Sequence, residues 1–212
     1  MKLLYKELAL AAHPTLFVFT TLGCLVLVPS YPYTVIVMFG CLAPYITFQY
    51  ARETNDAWYT ALLPVTKREI VRGKCALIVC VQLTQLGISI PFTLLRQALE
   101  IPNNPVGLDP TVAWYGCSLL LYAVFDWIFF PAFYRSGYRA GRSFLIAMPP
   151  VLLLMTTLEV LVHFPALAWL DSYASADQLR QLPILAVGLV VYAGGVFLAN
   201  RIAAKRFERV DL

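Results

Sequence analysis

The sequence predicts an all-α membrane protein that crosses the bilayer six times and has both termini in the cytoplasm. Three observations predict this fold: the apolar composition, the length of the apolar runs and the placement of the basic residues. Of the 212 residues, 60% are hydrophobic and only 13% are charged, whereas a soluble domain carries about 25% charged residues. We therefore expect residues 1–212 to form a single transmembrane domain, without a second, soluble domain.

Six apolar runs define the expected spans, which cover residues 14–31, 32–50, 75–95, 112–133, 144–163 and 182–200. A helix needs about 20 apolar residues to cross a bilayer, and the last four runs meet this length. The first two are short and are separated only by a Pro-Ser-Tyr-Pro segment, which predicts a tight hairpin. The runs do not alternate apolar and polar residues as the strands of a transmembrane barrel do, so each span is expected to be helical.

The basic residues set the expected orientation, because cytoplasmic loops carry an excess of Lys and Arg. With residue 1 in the cytoplasm, only Arg96 and Arg180 fall on the outer side. The inner segments hold Lys2, Lys6, Arg52, Lys67, Arg68, Arg72, Lys74, Arg135, Arg139, Arg142, Arg201, Lys205, Arg206 and Arg209. These short clusters also account for the net charge of +4, so the charge does not indicate a nucleic-acid partner.

The segments outside the apolar runs differ in character. In residues 1–13, four apolar residues at near-helical spacing predict an amphipathic helix on the inner membrane surface; they are Leu3, Leu4, Leu8 and Ala11. Residues 96–111 are rich in proline and asparagine and should form an outer loop. Residues 164–181 are partly apolar but too interrupted to span, so we expect short helices that dip into the outer face.

The longest inner loop, residues 52–74, should contain a short helix beneath the membrane. Thr54, Asn55 or Asp56 can cap its N-terminus, and Pro64 would end it. Trp58 and Leu62 are four residues apart and would share one helical face. An exposed tryptophan on such a helix is suited to docking a partner protein, although tryptophan is also common as an anchor at the membrane interface.

This loop resembles that of type 2 ABC transporter permeases, in particular small bacterial ABC exporter membrane subunits of the peptide- or bacteriocin-export or resistance kind. The matching residues are Glu53 or Asp56, Trp58, Leu63-Pro64-Val65, Arg68, Ile70-Val71 and Gly73-Lys74. Residues 133–143 and 206–212 are similar to the loop after the fourth span and to the charged tail of these permeases. Cys75 departs from the pattern, since an aromatic residue is more usual after Gly-Lys.

The resemblance implies a permease subunit of an ATP-binding-cassette exporter in the cytoplasmic membrane, moving a substrate such as a peptide or an amphiphile. The short helix would be a coupling helix that docks on a separate ATPase subunit. The docking residues it implies are Glu53, Asp56, Trp58, Leu62, Pro64 and Arg68. ATP and magnesium would be bound by that subunit, because this chain lacks the G-x-x-x-x-G-K-[ST] phosphate loop. A second permease subunit, identical or different, would complete the exporter.

Polar residues within the spans are costly and therefore mark functional or structural sites. Gln82 and Gln85 lie in the third span, and Glu159 and His163 lie one turn apart in the fifth. We expect these four as candidates for a substrate path. Asp126 in the fourth span is expected to be structural, with a basic residue of the inner loops as its candidate partner.

The same residues disfavour several other functions. An intramembrane protease is disfavoured because Gly116-Cys-Ser-Leu does not complete a G-x-S-G motif and no Glu-Glu or H-E-x-x-H occurs. The five cysteines form no C-x-x-C pair and lie away from both histidines, so no metal site is expected. A small carrier or a membrane scaffold that works without an ATPase is the remaining alternative.

Overall fold

A computed structural model describes residues 2–54, 56–62, 64–137 and 139–208 of the chain, and all its elements in these ranges are helical. The α-helices are α1 (Lys2–Lys6), α2 (Pro14–Thr21), α3 (Thr34–Glu53), α4 (Asp56–Ala61), α5 (Lys67–Ala98), α6 (Val112–Arg135), α7 (Ala140–Leu161) and α8 (Ser175–Glu208). A π-helical turn, Glu7–Ala11, follows α1, and 3₁₀-helices cover Leu22–Leu27 and Pro165–Asp171.

Five helices of the described chain are long and apolar enough to cross a membrane: α3, α5, α6, α7 and α8. They lie on the last five predicted spans, and this confirms a multi-pass membrane protein. The two longest, α5 and α8, have 32 and 34 residues and rise about 50 Å. Each therefore extends beyond a hydrocarbon core of about 30 Å, and their ends form part of the inner and outer faces.

The first predicted span is not a single regular helix. The segment Leu3–Ala9 meets the segment Pro14–Leu27 at an angle of 93°, because His13 is extended before Pro14, as residues that precede proline prefer to be. The second segment has eight α-helical and six 3₁₀ residues and rises only about 24 Å. The structure therefore supports five spans, or six if this bent pair counts as one.

Helix α6 is the centre of the bundle. Its side chains Trp114, Tyr122, Phe125, Phe129 and Phe130 are fully buried, and the rings of Phe125 and Phe129 stack at a centroid distance of 5.0 Å. Aromatic residues bury large areas, so the buried rings of α6 stabilise its packing in the bundle.

The predicted inner and outer segments gather at two opposite ends of the bundle. At one end, Lys6 contacts Asp56, and Arg206 at the end of α8 donates to the carbonyl of Pro131 near the end of α6. At the other end, Arg96 contacts Asp109 in the loop that follows α5. This grouping agrees with the predicted alternation of the loops, while the cytoplasmic placement of the first end remains a prediction from the charges.

Candidate functional site

Among the described side chains of the short helix α4 and the turn after it, the polar ones are buried and the apolar ones are exposed. Asp56 and Thr60 are 7% and 0% exposed, whereas Tyr59 is 50% and Leu62, in the turn after the helix, is 65% exposed. Thr60 Oγ1 donates to the Asp56 carbonyl at 2.6 Å. A surface helix normally buries its apolar side. The reversed arrangement leaves apolar side chains available to a partner or to lipid.

Four charged side chains hold α4 in this orientation and form what we call the charge ring: Lys6, Glu7, Asp56 and Lys74. Lys74 Nζ lies 2.7 Å from Asp56 Oδ2 and 3.0 Å from Glu7 Oε2. Lys6 Nζ lies 3.1 Å from Glu7 Oε1 and also contacts Asp56 Oδ1. Each carboxylate thus bonds both lysines, and the ring as a whole is neutral.

The charge ring is buried, which makes it sensitive to the loss of any member. Glu7 is 0% and Lys74 is 5% exposed. Burial alone would raise the pKa of Asp56, but the charges and hydrogen bonds of Lys74 and Lys6 hold it below its usual value. Removal of one partner from such a pair leaves an uncompensated buried charge, at a cost of about 3–5 kcal/mol.

The charge ring joins three elements that are far apart in sequence. Lys6 and Glu7 belong to the N-terminal helical segment, Asp56 to α4 and Lys74 to α5. Gly73 allows the close approach, since a Cβ there would lie 3.3 Å from Leu3 Cβ. Charge-assisted hydrogen bonds, which are stronger than neutral ones, therefore join α4 directly to α5.

This arrangement changes the picture of the N-terminal segment that the sequence suggested. The segment is helical, but Lys6 and Glu7 face the protein, while Tyr5 is 75% and Leu8 36% exposed. Sequence reasoning missed Lys6, Glu7, Thr60 and Lys74 as site residues. The sequence carried one signal that could have identified them: charged residues lie beside apolar runs on both sides of a loop rich in polar residues.

The six residues predicted for docking lie in different environments. Asp56 is an internal anchor of α4 within the charge ring, so the structure does not place its side chain on a docking surface. Glu53 and Pro64 are exposed, and Arg68 Nε donates to Glu208 Oε1 at 2.6 Å. The backbone of Trp58 lies in α4, but its side chain lies outside the described part of the chain. The predicted helical face shared by Trp58 and Leu62 therefore also lies outside it.

The two glutamines of α5 are fully buried between helices. Gln82 Nε2 donates to Asp126 Oδ1 at 3.1 Å, and Tyr192 Oη donates to Gln82 Oε1 at 2.7 Å. Gln85 donates to the carbonyl of Phe19 at 2.8 Å and accepts from a tyrosine of α6. A substrate path along these residues would require the helices to separate.

Asp126 has a different partner from the one that the sequence suggested. It is fully buried, and in the described ranges no Lys or Arg lies within ion-pair distance of it. Its partner is the amide of Gln82, and its Oδ2 atom has no hydrogen-bond partner in those ranges. Through Gln82 and Tyr192, the carboxyl group of α6 is therefore connected to α5 and α8.

Glu159 and His163 do not form a pair. Helix α7 ends at Leu161, so His163 lies in an exposed turn beyond it, and no hydrogen bond joins the two side chains in the described chain. Glu159 instead accepts from the Leu108 N–H at 2.8 Å and from the Thr34 hydroxyl. These hydrogen bonds connect α7 to α3 and to the loop between α5 and α6.

A second buried network, of hydrogen bonds and an ion pair, joins segments at the end of the bundle opposite the charge ring. Arg96, 1% exposed, bonds Asp109 at 3.0 Å, the Tyr33 hydroxyl at 2.7 Å and the Pro102 carbonyl at 2.5 Å. The N–H of Asp109 donates to Asp171 Oδ1 at 2.5 Å. Burial raises the pKa of Asp171 to about 7. Arg96 was expected only as an outer-loop charge, and it is the centre of this network.

A family model described as ABC-2 family transporter protein matches residues 2–203. No curated protein and no solved structure matches the chain significantly. The family match covers the charge ring, four of the five long helices in full and α8 as far as Ala203.

Proposed function

The chain belongs to the ABC-2 family of transporter proteins, and on that basis we propose that it is the membrane-spanning permease of an exporter driven by a separate ATPase subunit. The permease resides in the cytoplasmic membrane and moves a peptide or another amphiphile outward. ATP and magnesium belong to the ATPase, and this chain contributes the path and the coupling element. A second permease subunit, identical or homologous, completes the assembly.

The observation that carries this proposal is the contrast between buried polar and exposed apolar side chains among the described residues of α4 and the turn after it. Its buried Asp56 and Thr60 fix the helix to the protein, and its outward Tyr59 and Leu62 present an apolar contact surface. A six-residue helix is unstable alone in water, so a helix that exposes apolar residues and is anchored by charges is suited to fit a groove of a partner. We assign that groove to the ATPase.

The charge ring provides a route for coupling. When the ATPase changes shape on ATP binding or hydrolysis, force on α4 acts on Asp56 and passes to Lys74 at 2.7 Å. Helix α5 extends from there to Arg96, whose guanidinium bonds the outer loop. A rigid helix with buried charged contacts at both ends can transmit motion from the inner to the outer face.

The second permease subunit is assigned to the exposed faces of α7 and α8. Leu145, Leu153, Val190 and Phe197 are 73%, 72%, 72% and 59% exposed. In a membrane, such faces contact either lipid or another subunit. A substrate path between two permease subunits would run along the face at which they meet. Among the candidate path residues, His163 is the exposed one.

The test replaces the apolar side of α4. Tagged wild-type chain, Tyr59→Ala/Leu62→Ala and the control Leu94→Ala/Leu99→Ala are purified from their native host membranes. Leu94 and Leu99 are both 61% exposed at the other end of the bundle, so the control removes similar apolar area away from α4. Co-purifying vanadate-sensitive ATPase activity is then measured for each.

We expect wild type and control to retain the ATPase and the α4 variant to lose about 90% or more of it, since truncation of interface anchors costs about 2 kcal/mol or more. Equal ATPase recovery in all three would overturn docking through α4. Export that continues without any ATPase would instead identify a carrier of the ATPase-independent kind.

A further inference from the structure

A cavity of about 590 Å³ opens between the ends of α6, α7 and α8 at the end of the bundle that holds the charge ring. Three arginines from three different elements line it: Arg135 from α6, Arg142 from α7 and Arg206 from α8. Its floor and walls are formed by Trp127, Ile128, Pro131, Ala132, Ile146 and Ile202, together with Ser136. No Asp or Glu of the described chain lines it.

The arginines are placed for an anion that the protein itself does not supply. Arg135 and Arg142 are exposed, and within the described ranges neither has a hydrogen-bond or ion-pair partner. Arg206 is held in place, because its Nη1 donates to the Pro131 carbonyl at 2.6 Å. Guanidinium groups bind phosphate through paired hydrogen bonds, and three of them line this one cavity.

The walls of the cavity continue into the membrane-spanning part of the helices. Trp127 is 50% and Ile146 is 48% exposed, although both lie in helices that cross the membrane. A basic mouth above an apolar wall is the shape of a site for an amphiphile with an anionic head.

We infer that this cavity binds an anionic phospholipid, with its headgroup phosphate between Arg135, Arg142 and Arg206 and an acyl chain along Trp127 and Ile146. Basic pockets between spanning helices at the cytoplasmic side are suited to lipid headgroups. A soluble protein partner would reach the arginines but not the apolar wall within the bilayer, and this favours lipid. The inference concerns a lipid bound to the permease and does not depend on ATPase docking.

The test measures lipid retained by the full-length protein. Wild type, Arg135→Gln/Arg142→Gln and the control Arg72→Gln/Lys205→Gln are reconstituted in bilayers of nine parts phosphatidylcholine to one part phosphatidylglycerol. Arg72 and Lys205 are also exposed and line another groove at the same end, so the control removes the same charge outside the cavity. After extraction into detergent, retained phospholipids are identified by mass spectrometry.

We expect about one phosphatidylglycerol per wild-type or control chain, and about 30-fold weaker retention in the cavity variant, at about 1 kcal/mol for each basic residue. Equal loss in both variants would show general surface attraction and would overturn the inference, as would equal retention of phosphatidylcholine by wild type. The replaced arginines have no partners in the described chain, and an unchanged elution profile on size exclusion verifies folding.

Two further arms separate a lipid from a bare anion. Phosphatidylglycerol with a brominated acyl chain should quench the fluorescence of wild type more than that of Trp127→Phe, because Trp127 lies on the wall. Millimolar inorganic phosphate should not displace the lipid. Displacement by phosphate together with equal quenching in both proteins would identify an anion site without an acyl chain and would overturn the lipid assignment.

Discussion

At the scale of single residues, the chain places charges where neighbours compensate them. The charge ring matches two lysines with two carboxylates, and the outer network surrounds Arg96 with a carboxylate, a hydroxyl and a carbonyl. Such burial is tolerated only when each charge keeps its partners. The sequence predicted these residues to form the polar face of a surface helix or to be charges in loops. In the structure, their side chains bond segments of the chain to one another in its interior.

The first prediction concerns Lys74. Lys74→Met leaves two buried carboxylates for one lysine and should destabilise the protein by about 3–5 kcal/mol. Lys74→Met/Glu7→Leu restores neutrality, because Lys6 and Asp56 remain as a pair, and should be more stable than Lys74→Met alone. Thermal unfolding in detergent, followed by fluorescence, gives both comparisons. A double variant less stable than Lys74→Met would contradict mutual compensation within the ring.

The second prediction is a pH dependence that arises at Asp171. Its pKa in the folded protein, about 7, lies above the unfolded value of about 4. The folded state therefore binds the proton more tightly, and stability falls as the pH rises through 7. Between pH 6 and pH 8 we expect a loss of about 1 kcal/mol from this group, or about 2–4 °C in Tm.

The control for this pH dependence is Asp171→Asn, which keeps a carbonyl oxygen for the Asp109 N–H and cannot titrate. Its Tm should change less between pH 6 and pH 8 than that of wild type, and at pH 8 it should be at least as stable. The lowered pKa of Asp56 places its titration below this range. Identical pH profiles for the two proteins would show that Asp171 does not titrate here.

At the scale of elements, close backbone contact fixes α8 against α6. A Cβ added to Gly188 would lie 2.4 Å from the carbonyl oxygen of Gly116, and one added to Gly116 would lie 2.7 Å from the carbonyl of Ile184. Both obstacles are backbone atoms, which cannot rotate away. Small residues at such crossings let helices in membranes approach closely.

The third prediction uses two glycines of α8 as a matched pair. Gly188→Ala forces α8 away from α6 and should lower stability by about 1–3 kcal/mol. Gly194→Ala, where nothing lies within 4 Å of the added Cβ, should be neutral or stabilising by up to about 1 kcal/mol through helix propensity. Thermal unfolding of both variants checks this, and equal effects would argue against the close α6–α8 contact.

The short helix α4 shows a second rule at this scale. A helix of six residues has no stability of its own, so its orientation is decided by what anchors it. Here the anchors are polar, and the described apolar side chains, Tyr59 and Leu62, are exposed. The hydrophobic pattern alone would have predicted the opposite orientation.

At the scale of the whole molecule, the two ends of the bundle differ in charge and in contacts. One end carries the charge ring and the arginine-lined cavity, and the other carries the Arg96 network and the 3₁₀-helix Pro165–Asp171. The excess of basic residues predicts that the first end is cytoplasmic.

The fourth prediction tests this orientation. A cysteine at Asn103, exposed at the Arg96 end, should react with a membrane-impermeant thiol reagent added to intact cells, whereas one at Lys205 should react only after the cells are opened. The unmodified chain is the blank for the five native cysteines: Cys41, Cys75 and Cys117 are buried, Cys24 is half-buried, and Cys80 is exposed on the spanning helix α5. Labelling of the Lys205 position in intact cells would reverse the orientation.

The sequence by itself determined the class of the protein, the positions of five long helices and the loop that carries α4. These features are local, because the length of an apolar run, compared with the bilayer thickness, decides whether it can span. For residues 14–31 the helical part comprises only eight α-helical and six 3₁₀ residues, so the structure supports five spans, or six if the bent pair counts as one. Length in residues predicts a span only when the helix is regular.

Only the tertiary structure decided what the polar residues do. Lys6 meets Asp56 across 50 positions in the chain, and Lys74 meets Glu7 across 67. The sequence shows that a side chain is charged but not which way it turns, since that depends on the partners that folding brings to it. The charge ring, the partner of Asp126 and the separation of Glu159 from His163 all follow from long-range packing, which no local pattern encodes.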